Sequence, residues 1–410
     1  MAQKRNTRQI ILNEAFNLCY ESPKSIFSLS ELAERVGISK TAIFRHFKNK
    51  DALLSEMGSL IADGLAEIMR KGDYFREAET HLTENYERFS DLINSLVKFF
   101  QGNKGYLGFA LNTRTFMPSP GKSLLKGLME RGVYISPEFL ANKTPQRFFR
   151  VFFCGETLIY FLSRRDCLAQ AGISEIDSEE EFIKEITDLL WKGIARSKPQ
   201  LDSKRIAELD KLCEVSFKDK PEDTRFFTAF AETFQENGFD GLTVERISDK
   251  LNLAKSSLYA FFENKEEFVQ KMLVEEFSMI MKVIVEKTMY AETLEELAYV
   301  LLRCEKNYLE KRHFVLMIHY WATQKGLNTY RFKDDQIGYN DRFEYLKKKN
   351  IQMPELFNYQ SFVGWESSLV GALKFFFDMT PLKELERIID YAQELYKLNI
   401  NGIENQNLNS

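Results

Sequence analysis

The chain lacks the residue patterns on which most enzymes and metalloproteins depend. Its 410 residues include only four histidines, and no two of these are four positions apart, as two metal ligands on one helix face would be. It has no glycine-rich phosphate loop, no G-x-S-x-G and no H-E-x-x-H sequence. The acidic run 179–181 is interpreted as a helix start rather than a catalytic pair. We therefore expect no enzymatic activity, no metal site and no cofactor.

Cysteines are few and form no recognisable pattern. The five cysteines are odd in number and scattered, with no C-x-x-C pair, which predicts reduced thiols. No apolar run approaches the roughly 18 residues needed to span a bilayer, and Glu14 interrupts the apolar stretch that follows the basic N-terminus. The sequence therefore predicts a cytoplasmic protein with no membrane partner.

Patterns typical of β-sheets are also poor, whereas phenylalanine is abundant, with 35 residues. Hydrophobic residues make up 44% and charged residues 28% of the chain, as in soluble globular proteins. A chain of this length is too long for one ordinary core, so we expect two to four domains built from helices on aromatic cores. The net charge of −4 does not by itself indicate a nucleic-acid partner.

The most informative feature that is present is an internal repeat with a period of 215 residues. The first copy, at residues 39–50, reads SKTAIFRHFKNK, and the second, at 254–265, reads AKSSLYAFFENK. The two copies align over their full length without a gap. Each copy follows an apolar helical pattern, and a further apolar helix lies upstream. The chain therefore carries two copies of a three-helix unit with a tight turn between its second and third helices, which is the layout of a helix-turn-helix.

The order of elements predicts an all-α protein in which a head and a helical body occur twice. Asp202–Ser203 is predicted to cap a short amphipathic helix in the linker between the two copies. Each body ends in two helical patterns, 147–165 with 178–196 and 359–377 with 381–398. The predicted boundaries are 1–57 for head one, 58–198 for the first body, 199–220 for the linker, 221–272 for head two, 273–402 for the second body and 403–410 for a disordered tail.

Residues around the two tight turns have clear local roles. Gly37 and Asn252 permit the positive φ that a sharp turn after a helix requires. Ser39 can cap the third helix of head one, whereas its counterpart Ala254 cannot. The apolar positions of the repeat are predicted to be core, namely Leu32, Val36, Ile43 and Phe47 in head one and Ile247, Leu251, Leu258 and Phe262 in head two.

The start of each second helix carries a capping signal. Ser28 with Glu31 predicts a capping box in head one. In head two Thr243 keeps the cap, but Arg246 replaces the reciprocal acid.

Both heads resemble the DNA-binding domain of TetR-type transcriptional regulators over about 50 residues each. Head one departs from the family pattern at Phe44, where a phosphate-binding tyrosine is usual, and head two keeps that tyrosine as Tyr259 but lacks the serine cap. The matching residues are Leu32-Ala33, Gly37, Ser39-Lys40, Ile43-Phe44, Phe47 and Lys50 in head one, and Ile247-Ser248, Asn252, Lys255, Leu258-Tyr259, Phe262 and Lys265 in head two.

The resemblance implies that the third helix of each head reads base edges while flanking side chains hold phosphates of a double-stranded operator. An ordinary solvent-exposed helix face is the alternative interpretation of these positions. The predicted DNA-binding residues are Ser28, Ser39, Lys40, Thr41, Ala42, Phe44, Arg45, His46 and Lys50 in head one, and Thr243, Lys255, Ser256, Ser257, Tyr259, Ala260 and Lys265 in head two.

The two heads differ in charge. Residues 1–60 hold nine basic and six acidic residues, whereas residues 216–275 hold eight basic and twelve acidic residues. Arg45 and Lys48 of head one are replaced by Ala260 and Glu263 in head two. Because phosphate neutralisation drives sequence-independent affinity, head two is predicted to hold fewer phosphates. An interaction protein that has lost specific DNA reading in one or both heads is therefore the alternative function.

Proteins of this family usually act as homodimers, so one chain with two heads and two bodies implies a single-chain pseudo-dimer. We expect a monomer, with a homodimer as the alternative. The family resemblance further implies a repressor whose bodies bind a small-molecule effector of unknown identity. Candidate pocket residues, for which core filling or a helix interface is the alternative, are Tyr106, Tyr160, His319, Trp321, Trp365 and Glu366.

Overall fold

We describe the fold from a computed structural model of the chain. The described residues are entirely helical, apart from turns and connections, which confirms the predicted all-α fold for this part of the chain. No helix in this part is long and apolar enough to cross a membrane. The structure describes residues 2–21, 27–74, 85–113, 124–135, 154–155, 157–163, 165–166, 178–194, 201–214, 224–238, 241–259, 265–311, 339–351, 353, 362, 365, 369 and 395–403.

In the first half of the chain, the described residues form eight helices. They are α1 (Ala2–Glu21), α2 (Leu29–Val36), α3 (Lys40–Phe44), α4 (Lys50–Gly72), α5 (Tyr86–Gly102), α6 (Lys104–Thr113), α7 (Leu124–Glu130) and α8 (Glu179–Lys192). Residues 154–155, 157–163 and 165–166 are also helical.

The second half repeats the opening of this order after a connecting helix. Its helices are α9 (Ser203–Leu212), α10 (Thr224–Asn237), α11 (Val244–Leu251), α12 (Lys255–Tyr259), α13 (Lys265–Thr288), α14 (Leu294–Lys311) and α15 (Tyr339–Lys348), and residues 395–401 are also helical. Most of the helical patterns predicted at 147–165, 359–377 and 381–398 lies outside the described residues.

The capping predictions are confirmed. The Ser28 hydroxyl accepts from the Glu31 amide at 3.0 Å, and the Glu31 carboxylate accepts from the Ser28 amide at 3.3 Å. Gly37 and Asn252 end the second helices with φ of 73° and 55°. The side chains of Ser28 and Glu31 thus satisfy amides that a helix start leaves without an intrahelical partner.

The connecting helix α9 is anchored to α14. Asp202 caps it by accepting from the Arg205 amide at 2.8 Å, as predicted. The Arg205 guanidinium donates two hydrogen bonds of 2.8 Å to the Glu296 carboxylate, which is buried. Cys213, at the end of α9, is also buried. The described part of the linker, residues 201–214, is therefore packed against α14.

The chain forms two compact units. Unit 1 contains Met1–Arg196, Glu355–Ser368 and Leu398–Ser410, and unit 2 contains Ser197–Pro354 and Leu369–Lys397. The boundary at Ser197 is close to the predicted start of the linker. Segments from the C-terminal part of the sequence belong to unit 1, although all of 273–402 was predicted as one body. The domain boundaries remain predictions.

One residue of the predicted tail lies within the described part of the chain. Ile403, assigned to a disordered tail, is buried, and its amide donates to the carbonyl oxygen of Leu190 at 3.1 Å. The apolar side chain stabilises this position by leaving water. Residues 404–410 lie outside the described residues.

Candidate DNA-binding surface

The helix-turn-helix of head one is built on a buried apolar layer. Leu32 of α2, Ile43 of α3 and Phe47 after α3 are each at most 3% exposed, as predicted for the core. Val36 is only half-buried, because it lies at the last position of α2 beside the turn. Ser39 caps α3 by accepting from the Ala42 amide at 3.1 Å. These contacts fix the direction of α3.

The opposite side of α3 faces outward. Lys40, Thr41 and Phe44 are exposed, and 44% of the Phe44 surface is accessible. The helix ends at Phe44, so Arg45 and His46 lie in the following turn rather than on the helix itself. Arg45 is exposed and His46 is half-buried. Of the predicted reading residues of head one, Lys40, Thr41, Phe44 and Arg45 are thus exposed, on α3 or in the turn directly after it.

Most other basic side chains near this surface are paired within the protein. Arg35 contacts Glu14 at 3.1 Å and also binds Glu21. Arg8 binds Glu56. By contrast, the exposed side chains of Lys40, Arg45 and Lys48 are in no ion pair with a described residue. Among the described side chains of head one, the exposed basic groups without an ion-pair partner thus lie on α3 and in the segment directly after it.

Lys50 differs from the other predicted phosphate ligands. It opens α4 after the Asn49 cap, as the sequence pattern predicts. Its side chain is half-buried, the ammonium lies 5.6 Å from the centre of the Phe27 ring, and burial lowers its pKa. A cation held over an aromatic ring is partly desolvated. Lys50 is therefore less available to phosphate than Lys40.

Head two has the same backbone motif. Ile247 and Leu251 of α11 are buried, and the Thr243 hydroxyl accepts from the Arg246 amide at 3.3 Å. Ser256 of α12 is exposed and Ser257 is half-buried. The side chains of Leu258, Phe262, Tyr259, Ala260 and Lys265 lie outside the described part of the chain.

One carboxylate of head two binds two of its predicted DNA-binding residues. Glu245 on α11 forms an ion pair with the ammonium of Lys255 on α12 and also accepts from the Thr243 hydroxyl. The hydrogen bond from Lys255 is the main cause that lowers the pKa of Glu245. The corresponding residue of head one, 215 positions earlier, is Ser30. In head two the charge of Lys255 is therefore paired within the protein, whereas its counterpart Lys40 has no such partner among the described residues.

Glu245 is a candidate residue that was not predicted, because the charge comparison between the heads considered net charge and the replacements at 260 and 263. Aligning the two heads at the 215-residue period shows that Glu245 replaces Ser30. Its distance from Lys255 follows only from the packing of α11 on α12.

The candidate pocket residues lie in different surroundings. Tyr106 of α6 packs on Phe16 at 4.6 Å and on Phe99 at 5.5 Å between ring centres, and burial raises its pKa. Trp365 is 1% exposed, with its ring 6.2 Å from that of Phe362. Tyr160 is half-buried. His319, Trp321 and Glu366 lie outside the described residues, so a common pocket remains a prediction.

Tyr106 belongs to a close contact between α6 and α1 of head one. A Cβ atom added to Gly108 would lie 2.3 Å from the carbonyl oxygen of Cys19, and one added to Gly105 would lie 2.6 Å from the Phe16 Cβ. Such distances leave no room for a side chain. The two glycines thus let the backbones of α6 and α1 touch, and the first helix of the head packs directly on the body.

Comparison with known proteins identifies both heads. The family "Bacterial regulatory proteins, tetR family" matches residues 11–57 and 228–272. The chain is 19% identical over 254 residues to the uncharacterised HTH-type transcriptional regulator YxbF of Bacillus subtilis, covering 60% of each protein. It is 36% identical over 66 residues to the HTH-type transcriptional regulator AcrR of Shigella flexneri, covering 16% of this chain and 31% of that protein.

A further match is to the biofilm operon icaADBC HTH-type negative transcriptional regulator IcaR of Staphylococcus epidermidis. It is 47% identical over 38 residues, covering 9% of this chain and 20% of that protein. The chain thus matches between one fifth and three fifths of the length of these relatives.

Proposed function

We propose that the chain is a TetR-type regulator that carries the family's DNA-binding domain twice, and that it acts as a ligand-responsive repressor on an asymmetric operator. In this proposal one chain supplies both heads, as a single-chain pseudo-dimer. The observation that supports it best is the pair of helix-turn-helix units whose third helices present different side chains. A homodimer repeats one reading surface, whereas this chain has two.

In head one, the exposed surface has the chemistry of a major-groove reader. Arg45 can donate two hydrogen bonds to the edge of a guanine, and Phe44 can contact the methyl group of a thymine. Lys40 contributes positive charge toward phosphates, and Ser28 and Ser39 stand at helix N-termini, which favour anions. Direct reading by head one is therefore assigned to Phe44 and Arg45, with Lys40 as a phosphate ligand.

Effector control would pass through the contact between α6 and α1. Because Gly105 and Gly108 bring the two helix backbones together, α6 cannot shift toward α1 without moving the first helix of head one. A displacement of a few ångströms would spoil the simultaneous fit of two heads to half-sites about 34 Å apart. IcaR, which is a negative transcriptional regulator, supports a repressor role by analogy.

A mobility-shift titration of the full chain with a random pool of duplex DNA tests DNA binding itself. We expect a retarded complex at low salt that weakens steeply as salt rises, because several phosphates are neutralised. The absence of a complex at low salt would overturn the proposal. That result would favour an interaction protein instead, an alternative that the internal Glu245–Lys255 pair of head two supports.

Replacing Glu245 by serine, the residue at the matching position of head one, is expected to strengthen DNA binding by about three- to tenfold. The change frees Lys255 and Thr243 for phosphate, so the salt dependence should steepen by about one unit. The measurement is a DNA titration at several salt concentrations.

The matched control is Glu236→Ser. It removes one negative charge from the same head, but Glu236 pairs with Lys250 at 2.8 Å, not with Lys255. Equal gains from both variants would mean that the net charge, rather than the Glu245 pair, limits head two.

A further inference from the structure

The end of α8 and the end of the chain are joined by two backbone hydrogen bonds. The amide of Ile194 donates to the carbonyl oxygen of Asn399 at 2.9 Å, and the amide of Ile403 donates to the carbonyl oxygen of Leu190 at 3.1 Å. All four residues belong to unit 1 and are buried. These bonds satisfy buried polar groups beyond the helix ends.

The two bonds are reciprocal in the sequence. Residues 189–194 read LLWKGI and residues 398–403 read LNINGI, so the two segments match at a separation of 209 residues. In this register Leu190 corresponds to Asn399 and Ile194 to Ile403. One bond runs from the amide of Ile194 to the carbonyl of Asn399. The other runs between the counterparts of these residues, from the amide of Ile403 to the carbonyl of Leu190. This reciprocity is what a local two-fold relation produces.

Two glycines make the contact possible. Gly193 and Gly402 are also 209 residues apart and have φ of 71° and 66°. A Cβ added to Gly193 would lie 2.3 Å from the carbonyl oxygen of Ile400, and one added to Gly402 would lie 2.1 Å from that of Trp191. Both the positive φ and the close backbone approach exclude a side chain. The contact is thus specific to glycine on both sides.

We propose that residues 398–403 are an intramolecular plug, which occupies on the end of α8 a self-complementary surface that a second copy of the chain would otherwise use. Isologous contacts use one patch twice, so either segment can pair with its own copy in another chain. Tethering within one chain gives the internal partner a high effective concentration. This inference deepens the single-chain part of the proposed function, and it does not depend on DNA binding.

Hydrogen exchange of the full chain tests the plug directly. Replacement of either Gly193 or Gly402 by alanine is expected to speed exchange of both the Ile194 and Ile403 amides by on the order of 100-fold. Both amides should respond because the two reciprocal hydrogen bonds open together as one unit. Gly132→Ala is the matched control, since Gly132 has φ of 77° but nothing within 4 Å of an added Cβ. Loss of protection on the substituted side alone would overturn the reciprocal contact.

Light scattering then tests whether the surface exposed by each substitution pairs with a second copy of the chain. The unchanged chain is expected to have a mass near 48.0 kDa, and each single variant is expected to double it by pairing through its remaining glycine. The double variant Gly193→Ala with Gly402→Ala should remain at the mass of one chain, because it has no glycine surface left. Single variants that stay at one chain mass, or an unchanged chain of twice that mass, would overturn the proposal. Single variants that stay at one chain mass would overturn the plug alone, whereas an unchanged chain of twice that mass would also contradict the single-chain part of the proposed function; failure to bind DNA would leave the plug intact.

Discussion

Replacing Arg45 by alanine is expected to weaken operator binding by about 5- to 150-fold, which corresponds to about 1–3 kcal/mol for a lost pair of hydrogen bonds to a base edge. Lys40→Ala is expected to weaken binding to all sequences alike and to reduce the salt slope by about one unit. Both side chains are exposed and unpaired among the described residues, so neither change should affect folding. Titration of each variant against operator and random duplexes checks both effects.

The matched changes in head two are Lys255→Ala and Tyr259→Phe. We expect smaller losses from these than from the changes in head one, because Lys255 is already paired with Glu245. Thermal unfolding of all four variants controls for stability. Equal losses from the two heads would contradict the proposed asymmetry.

Gly108→Ala is expected to destabilise unit 1 by about 3 kcal/mol, the upper range for inserting one carbon into a packed contact. The added Cβ would lie 2.3 Å from the Cys19 carbonyl oxygen, and a backbone atom cannot rotate away as a side chain can. We also expect weaker DNA binding, because α1 must move relative to α6. Thermal unfolding and DNA titration of the same preparation measure the two effects.

Gly102→Ala is the control for this substitution. Gly102 ends α5, and an added Cβ there meets nothing within 4 Å. Alanine has a higher helix propensity than glycine, so the stability of this variant should be unchanged or slightly higher. A loss from Gly102→Ala equal to that from Gly108→Ala would show that close packing between α6 and α1 is not the cause.

The features that sequence reasoning predicted well are local. Ser28, Ser39 and Asp202 cap helices because each needs only an amide two or three residues away, and Gly37 ends a helix through its own φ. The apolar period placed Ile43 and Phe47 in the core for the same reason. Each of these properties is determined within one turn of helix, so the chain order alone contains it.

The features that were missed depend on contacts between distant segments. Gly193 could be interpreted as an ordinary helix end, and only the fold brings it to Gly402. The charge on Lys50 suggested a phosphate ligand, but packing against Phe27 covers part of its ammonium. Opposite charges at Glu245 and Lys255 gave no sign of pairing, because their distance depends on how α11 packs on α12.

The central claim is that one chain reads DNA with two unlike heads, and selection of bound duplexes from a random library tests it most directly. In this proposal Thr41, Phe44 and Arg45 of head one face the groove, and the matching positions of head two carry Ser256, Tyr259 and Ala260. We predict two unlike half-sites about one helical turn apart, with the more discriminating half under head one. Enrichment of a perfect inverted repeat would contradict the account, because it would mean that two chains bind through head one.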